Sequence, residues 1–250
     1  MQAYKLIPIH LGRFKGDLGG MTYLNSGIVE WLPIISWYIK GAEKNILIDS
    51  GISSKDYAYY SVRLAEDFVD FEEGLKHVGI TPDDVDFVIQ THLHFDHVGN
   101  TRRCKNARVI VQKAELEFAL APHPVQGYLY DPRLLNDLRF KVIEGDQEIS
   151  PGIEVIHLPG HTPGVQAVSV NTVKGKAVIS GMCCIGANFN PPEPEREPQM
   201  RYFWKVIPPG IFINLYEAYA STLKLKGIAD ILIPQHDPSL FNVKEIPSTG

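Results

Sequence analysis

Three histidines and an aspartate, His92, His94, Asp96 and His97, fall within six consecutive positions of the run Thr91-His92-Leu93-His94-Phe95-Asp96-His97. Imidazole and carboxylate are the donors that suit zinc, iron and manganese. One lone histidine is ordinarily a core or surface residue, but four potential ligands this close point to a metal. A loop at this place lets His92 and His94 face one way while Asp96 and His97 face another, which is enough for two ions. More donors are needed than one loop supplies. His161 lies in Pro159-Gly160-His161-Thr162-Pro163-Gly164, between two expected strands, where glycines permit close backbone approach. His236 follows the apolar run Ile231-Leu232-Ile233, and strand ends are where open α/β sheets build sites.

Elements with the right periodicity surround these residues. Residues 85–90 read as a buried strand leading into the histidine run, and 108–112 as the next strand. Trp37-Tyr38-Ile39 and Ile46-Leu47-Ile48-Asp49 flank a turn and predict a hairpin. Leu64, Phe68, Phe71, Leu75 and Val78 recur at three and four residues, which predicts an amphipathic helix over 61–78 ended by Gly79. Thr81-Pro82 has the cap and first-turn proline of a short helical turn. Further helices are expected over 113–121 and 211–226, the latter capped by Gly227. Strands are expected over 140–143, 153–158, 165–170, 177–180 and 231–233. Alternating strands and helices place the chain in the α/β class.

One stretch breaks the rhythm. Residues 188–210 hold Pro191, Pro192, Pro194, Pro198, Pro208 and Pro209 together with Tyr202, Phe203 and Trp204; a long proline-rich loop of this kind is expected to be a lid or a disordered connection, and the aromatics favour a lid. Trp31, Phe189, Phe203 and Trp204 are expected on loops that cover the metal site. Residues 242–250 read as a surface tail. No linker is legible, so residues 1–250 are expected to form one domain.

The composition narrows the class. With 44% hydrophobic and 21% charged residues the 250-residue chain is globular and not disordered. Its 24 basic and 29 acidic side chains leave a net charge of −5, with no basic stripe to bind nucleic acid. No apolar run approaches the roughly 18 residues of a membrane helix, and the start lacks a signal-peptide pattern. Three cysteines, two of them adjacent, make no disulfide framework, so a reducing, cytoplasmic setting is expected.

The succession of His92-Leu93-His94-Phe95-Asp96-His97, Pro159-Gly160-His161-Thr162-Pro163-Gly164 and a last histidine after an apolar strand resembles the metallo-β-lactamase superfamily. Within it the chain looks most like the N-acyl homoserine lactonase group. The likeness runs from about Ile34 to His236 and takes in Ile46-Leu47-Ile48-Asp49-Ser50-Gly51 and Glu144-Gly145-Asp146. The resemblance implies a four-layer αββα sandwich of two mixed β-sheets. It implies His92, His94 and His161 around a first metal, and Asp96, His97 and His236 around a second. Zinc is the expected cofactor, one or two ions, with iron or manganese as alternatives. Asp49 matches an aspartate that orients a ligand histidine from behind; it also reads as a turn residue capping Gly51. The implied partner is a small-molecule substrate, and both monomers and homodimers occur in the group.

The chain departs from the group in one segment. A bridging aspartate is expected after the strand that follows the His161 loop, where this chain has Gly181-Met182-Cys183-Cys184-Ile185. The best register puts Met182 at that position, and a neutral thioether does not replace a carboxylate. Cys184 would then share the face of Met182 and Cys183 would point away, whereas a slip of one residue puts Cys183 in the bridging slot. Both thiols also read as small buried hydrophobes. The group's tyrosine, three residues further on, corresponds to Ile185, and Tyr128, Tyr130 and Tyr202 are possible replacements. The chemistry implied is hydrolysis of a cyclic ester or amide: metal-activated hydroxide attacks the carbonyl, and Asp96 ligates the second ion and orients or shuttles the proton. Because the histidines must be neutral to ligate, activity is expected to fall in acid. The changed bridging position also leaves open phosphoester hydrolysis, hydrolytic dehalogenation or an iron-dependent redox step on the same scaffold. A binding protein that has lost catalysis is disfavoured by the presence of all five histidines and Asp96.

Overall fold

Runs such as Ile46–Ile48, Phe87–Ile89 and the Val109-Ile110-Val111 centre of Arg108–Gln112 are apolar on both faces, as strands covered on two sides must be. The computed structural model describes residues 2–191 and 205–248, and these runs form the centre of a mixed seven-stranded sheet. Its strands are β1 (Lys5–Asp17), β2 (Val29–Lys40), β3 (Ile46–Ile48), β4 (Ala65–Asp67), β5 (Phe87–Ile89), β6 (Arg108–Gln112) and β7 (Arg139–Ile143), in the order β4-β1-β2-β3-β5-β6-β7. β1 to β3 pair antiparallel, and β3, β5, β6 and β7 run parallel. A second sheet holds β8 (Gln147–Ser150), β9 (Ile153–His157), β10 (Gln166–Thr172), β11 (Gly175–Ile179) and β12 (Ile231–Ile233), antiparallel except for β12 beside β11.

The sheets face each other. Leu6, Trp37, Ile48, Ile89 and Ile110 of the first meet Ile153, Val168, Val170, Ile179 and Ile233 of the second in one buried cluster. The period of two sends Leu47, Val88 and Val111 to the opposite side, where they pack under α2 (Ser54–Tyr60), α3 (Phe71–His77) and α5 (Lys113–Leu120) through Tyr57, Phe71, Leu75 and Ala119. Behind the second sheet, Leu225 of α7 (Leu215–Ile228) covers Ile156, Ala167 and Val178. The layers are therefore helix, sheet, sheet, helix, as expected. Short helical turns complete the set: α1 (Leu18–Met21), α4 (Phe95–Val98) and α6 (Gly186–Phe189).

Several expectations are corrected. The helix over 61–78 is helical only in α3, where Asp70 caps it; Leu64 and Phe68 are exposed. The segment before it is β4, because the outer edge of β1 takes a partner there, with Gly12 opposite Asp67. β1 itself has no counterpart among the expected elements: Pro8, Gly12 and Gly16 mask its alternation, and a register shift between His10 and Gly12 absorbs the irregularity. The last helix starts at Leu215, capped by Asn214, and passes through Gly227 instead of stopping there. The tail is no loose end up to residue 248: Ile246 is buried and exchanges both backbone hydrogen bonds with Leu6, at 2.8 Å each. Trp31 lies within β2 beneath Arg13 and Lys15, not on a loop, and Phe189 is buried in the core beside α7. Residues 192–204, with Tyr202, Phe203 and Trp204, lie outside the described residues. The flanks of that stretch are tied down, since Asn188 donates to Met21 O and Ile207 O, and Lys226 Nζ to Phe189 O and Lys205 O.

Candidate metal centre

Five strand ends converge at one edge of the sandwich. Asp49 follows β3, the histidine run follows β5, His161 follows β9, Met182 to Ile185 follow β11 and His236 follows β12. His92 and His94 lie on extended chain, whereas Asp96 and His97 sit in the single turn of α4. That change of backbone divides the donors into two groups. His92, His94, His161 and Cys183 have donor atoms all within 4.8 Å of one another, and so do Asp96, His97 and His236.

Their spacing suits an ion. Nitrogen donors about 2.0 Å from a tetrahedral ion lie about 3.3 Å from each other. His92 Nε2 is 3.1 Å from His94 Nδ1 and 3.4 Å from His161 Nε2. In the second group Asp96 Oδ2 is 3.6 Å from His97 Nε2 and 3.9 Å from His236 Nε2. Buried polar atoms are nearly always partnered, and an orphan costs about 1–3 kcal/mol. His94 Nε2, His97 Nε2 and His236 Nε2 are nevertheless buried without a hydrogen-bond partner. Those of His97 and His236 face Asp96 Oδ2 in the second donor group, an arrangement that fits a metal, whereas His94 turns its other nitrogen, Nδ1, toward the first group.

The far sides of the rings are fixed. His161 Nδ1 contacts Ile211 O at 2.7 Å, and His236 Nδ1 contacts Pro33 O at 3.4 Å. A carbonyl only accepts, so each Nδ1 carries the proton and each Nε2 is left with its lone pair free. His97 Nδ1 lies 2.7 Å from Asp49 Oδ2. Asp49 is fully buried and also accepts from Thr91 N, Thr91 Oγ1 and Gln235 Nε2. Its φ of 53° is rare outside glycine. Thr91 and Gln235 went unremarked in the sequence, although each is a polar residue immediately before a histidine-bearing position at a strand end.

Electrostatics follow from this crowding. Burial, then the neighbouring imidazoles, holds His92 and His94 well below the usual histidine range. Burial above all brings His161 and His236 down to about 4. His97 goes the other way: burial lowers it, but Asp96 and Asp49 outweigh that and raise it. Burial, with Asp96 nearby, pushes the Cys183 thiol well up.

Met182 does not face the histidines. Its side chain lies in the core under α7 with Cys184, its sulfur 3.5 Å from Thr222 Oγ1, and the Cys184 thiol bonds Ser180 Oγ at 3.0 Å. Alternation along the chain then turns Cys183 alone toward the first donor group. The register that set Met182 there is off by one residue, because Gly181 takes a φ of 69° just before it and turns the chain. Ile185 is buried beneath Cys183 in the first-sheet core.

Above the donors opens a cavity of about 370 Å³ whose walls include Phe14, Tyr57, Phe95, Asp96, Tyr128 and Cys183. Asp96 is the least buried of the clustered residues, its side chain 13% exposed. Tyr128 stands on this wall; Tyr130 instead packs its ring edge-on to His94 and bonds Glu115. Tyr57 was not singled out by sequence; burial raises its phenol to about 12.

Comparison with known proteins agrees with this architecture. The model of the metallo-beta-lactamase superfamily matches residues 29–181. An N-acyl homoserine lactonase of Bacillus sp is 43% identical over 191 residues, covering 72% of this chain and 75% of that protein. The N-acyl homoserine lactonase AiiA of Bacillus thuringiensis subsp. kurstaki is 40% identical with the same coverage. Among solved structures, an N-acyl homoserine lactone hydrolase with N-hexanoyl-L-homoserine bound at its catalytic metal centre superposes with a TM-score of 0.75 at 27% identity, covering 96% of each chain.

Proposed function

The chain belongs to the metallo-beta-lactamase superfamily, and from that premise we propose that it is a zinc-dependent lactonase whose substrate is an N-acyl homoserine lactone. Two adjoining donor groups on the floor of one cavity carry the reading. We assign His92, His94, His161 and Cys183 to one zinc ion, and Asp96, His97 and His236 to the other. The thiolate of Cys183 is the anionic donor that Met182 could not be, and sulfur is a preferred ligand of zinc. Zinc held there supplies Lewis-acid polarisation of a carbonyl and water of lowered pKa.

The protein's own groups do the rest. Phe14, Met21, Phe95 and Leu129 give the cavity apolar walls, which suit an acyl chain. The Tyr57 phenol keeps its proton at neutral pH and faces the same space, so it can donate to a substrate oxygen. Asp96 opens onto the cavity beside both donor groups and is placed to take the proton from the attacking water and return it to the leaving oxygen. Asp49 keeps His97 in one orientation throughout. The three cysteines are buried and free, in keeping with a reducing cytoplasm, and no helix among the described residues is long and apolar enough to cross a membrane. The shared inter-sheet core supports treating residues 1–250 as one domain.

Opening a lactone releases a proton, so a pH indicator reads the reaction directly. Zinc-loaded protein given N-hexanoyl homoserine lactone is expected to acidify the solution, to stop when zinc is chelated and to resume when it is returned. Fully zinc-loaded protein that opens no lactone of a panel varying ring size and acyl length would overturn the proposal.

A further inference from the structure

One buried carboxylate lies outside both donor groups and outside the mechanism. Glu115, in the first turn of α5, is fully buried, and sequence periodicity marks it as nothing more than a helix residue. Four donors converge on it. Oε1 accepts from Leu93 N at 2.9 Å and from the Tyr130 hydroxyl at 3.1 Å. Oε2 accepts from the Thr162 hydroxyl at 2.5 Å and from Gly164 N at 3.1 Å. Leu93 stands between His92 and His94, and Thr162 and Gly164 follow His161 on another loop. One side chain therefore clasps the backbones that carry all three histidines of the first group. Through Tyr130, whose ring centroid is 4.7 Å from that of His94, it also fixes a wall against that imidazole.

The clasp is built into the loop. A Cβ on Gly164 would stand 2.3 Å from Glu115 N, so only glycine lets the His161 loop come close enough to be held. Asp49 plays the matching part on the other side, gathering Thr91, His97 and Gln235 with four hydrogen bonds of its own.

We propose that Glu115 is a positioning residue for the first metal: it sets the separation of the His92–His94 and His161 loops, and so tunes the affinity of that ion alone. The inference rests on the metal centre assigned above. Partners behind metal ligands change affinity about 10–100-fold when lost. A glutamine at 115 keeps the volume, but its amide nitrogen confronts two donors where an oxygen accepted both.

Zinc release to a competing chelator, in two steps, tests this on the folded holoprotein, with the melting temperature of metal-free protein followed separately. Glu115→Gln is expected to weaken one zinc ion about 10–100-fold and to leave the other unchanged. Thr162→Val, which removes a single donor, is expected to show a smaller loss of the same ion, and Thr162→Ser to restore it. Should Glu115→Gln not fold, the Thr162 pair decides alone. Zinc held with wild-type affinity, or both ions weakened equally, would overturn the assignment, whatever the melting temperature does. Wild-type protein that binds no zinc would instead overturn the metal centre, and this inference with it.

Discussion

At the scale of single residues, the segment 182–184 places a thioether and a thiol in the core and one thiol at the site. Charge explains why that matters. Under the proposed assignment, five imidazoles and one carboxylate would neutralise little of two dications, and a thiolate would add a second anionic donor. Replacing Cys183 by alanine should therefore abolish the sulfur-to-metal charge-transfer absorption of cobalt-substituted protein, while Met182→Leu should leave it intact and cost under about 1.5 kcal/mol of stability. Urea unfolding and near-ultraviolet absorption measure the two halves. Acid acts on the imidazoles with a definite sign. His161 and His236 lie at about 4 when folded, against 6.5 for an ordinary histidine, and His92 and His94 are lowered too. Below pH 6.5 the unfolded chain binds protons that the folded chain refuses. Metal-free protein should thus keep its melting temperature above pH 6.5 and lose it progressively toward pH 4. His97, raised by its two aspartates, works in the opposite direction, contributing stability below pH 6.5 that is lost as pH rises through its folded value, and is outnumbered. A melting temperature that stays level between pH 6.5 and 4 would show the imidazoles to be far less buried than described.

At the scale of elements, the site was legible because its residues are chemically unusual and close in sequence: the histidine run, the Pro159–Gly164 loop and the strand before His236 each announce themselves. Glu115 did not, since what makes it matter is the approach of α5 to two loops from distant parts of the chain. The strand β4 was hidden for a similar reason. Leu64 and Phe68 carry helical spacing, yet the open edge of β1 claims the backbone between them. The alternation of β1 was obscured by its own proline and glycines. The Met182 register failed at a single positive-φ residue, which strand periodicity does not foresee. Local backbone demands also make the His161 loop brittle. Gly160 has a φ of 129°, and a Cβ there would lie 2.1 Å from Ala218 N at the start of α7. Gly160→Ala should cost on the order of 2 kcal/mol or more, because neither backbone can yield freely. It should also depress kcat/KM by displacing His161, as a comparison of urea midpoints and lactone kinetics would reveal. A substitution that lowers stability while leaving kcat/KM untouched would show that α7 gives way instead of the loop.

At the scale of the whole molecule, the candidate metal centre lies on the seam between the two sheets. Asp49, His92, His94, Asp96 and His97 hang from the seven-stranded sheet, and His161, Cys183 and His236 from the five-stranded one. Each donor group draws from both. Below the seam the sheets are joined by apolar contact, whose driving force has no direction. At the edge they are joined by specific polar contacts, such as Gln235 Nε2 to Asp49 Oδ2 at 2.7 Å across 186 residues of sequence. The same edge holds the buried, unpartnered Nε2 atoms of His97 and His236, one from each sheet, each a cost that opening the seam would relieve. A divalent metal held by the proposed ligands would remove that cost and bridge the sheets. A ligand that binds only the folded state stabilises it by about 2.7 kcal/mol at a hundred times its Kd, and for a domain of this size each 1 kcal/mol moves the melting temperature by roughly 2–4 °C. Zinc-loaded protein should therefore melt several degrees above chelated protein, and the midpoint should climb steadily with the logarithm of free zinc. Hydrogen exchange should show the added protection at the ends of β3, β5, β9, β11 and β12 together. Protection confined to the strand ends of one sheet would mean that the ions are held by that sheet alone and that the seam is not where the metal does its structural work.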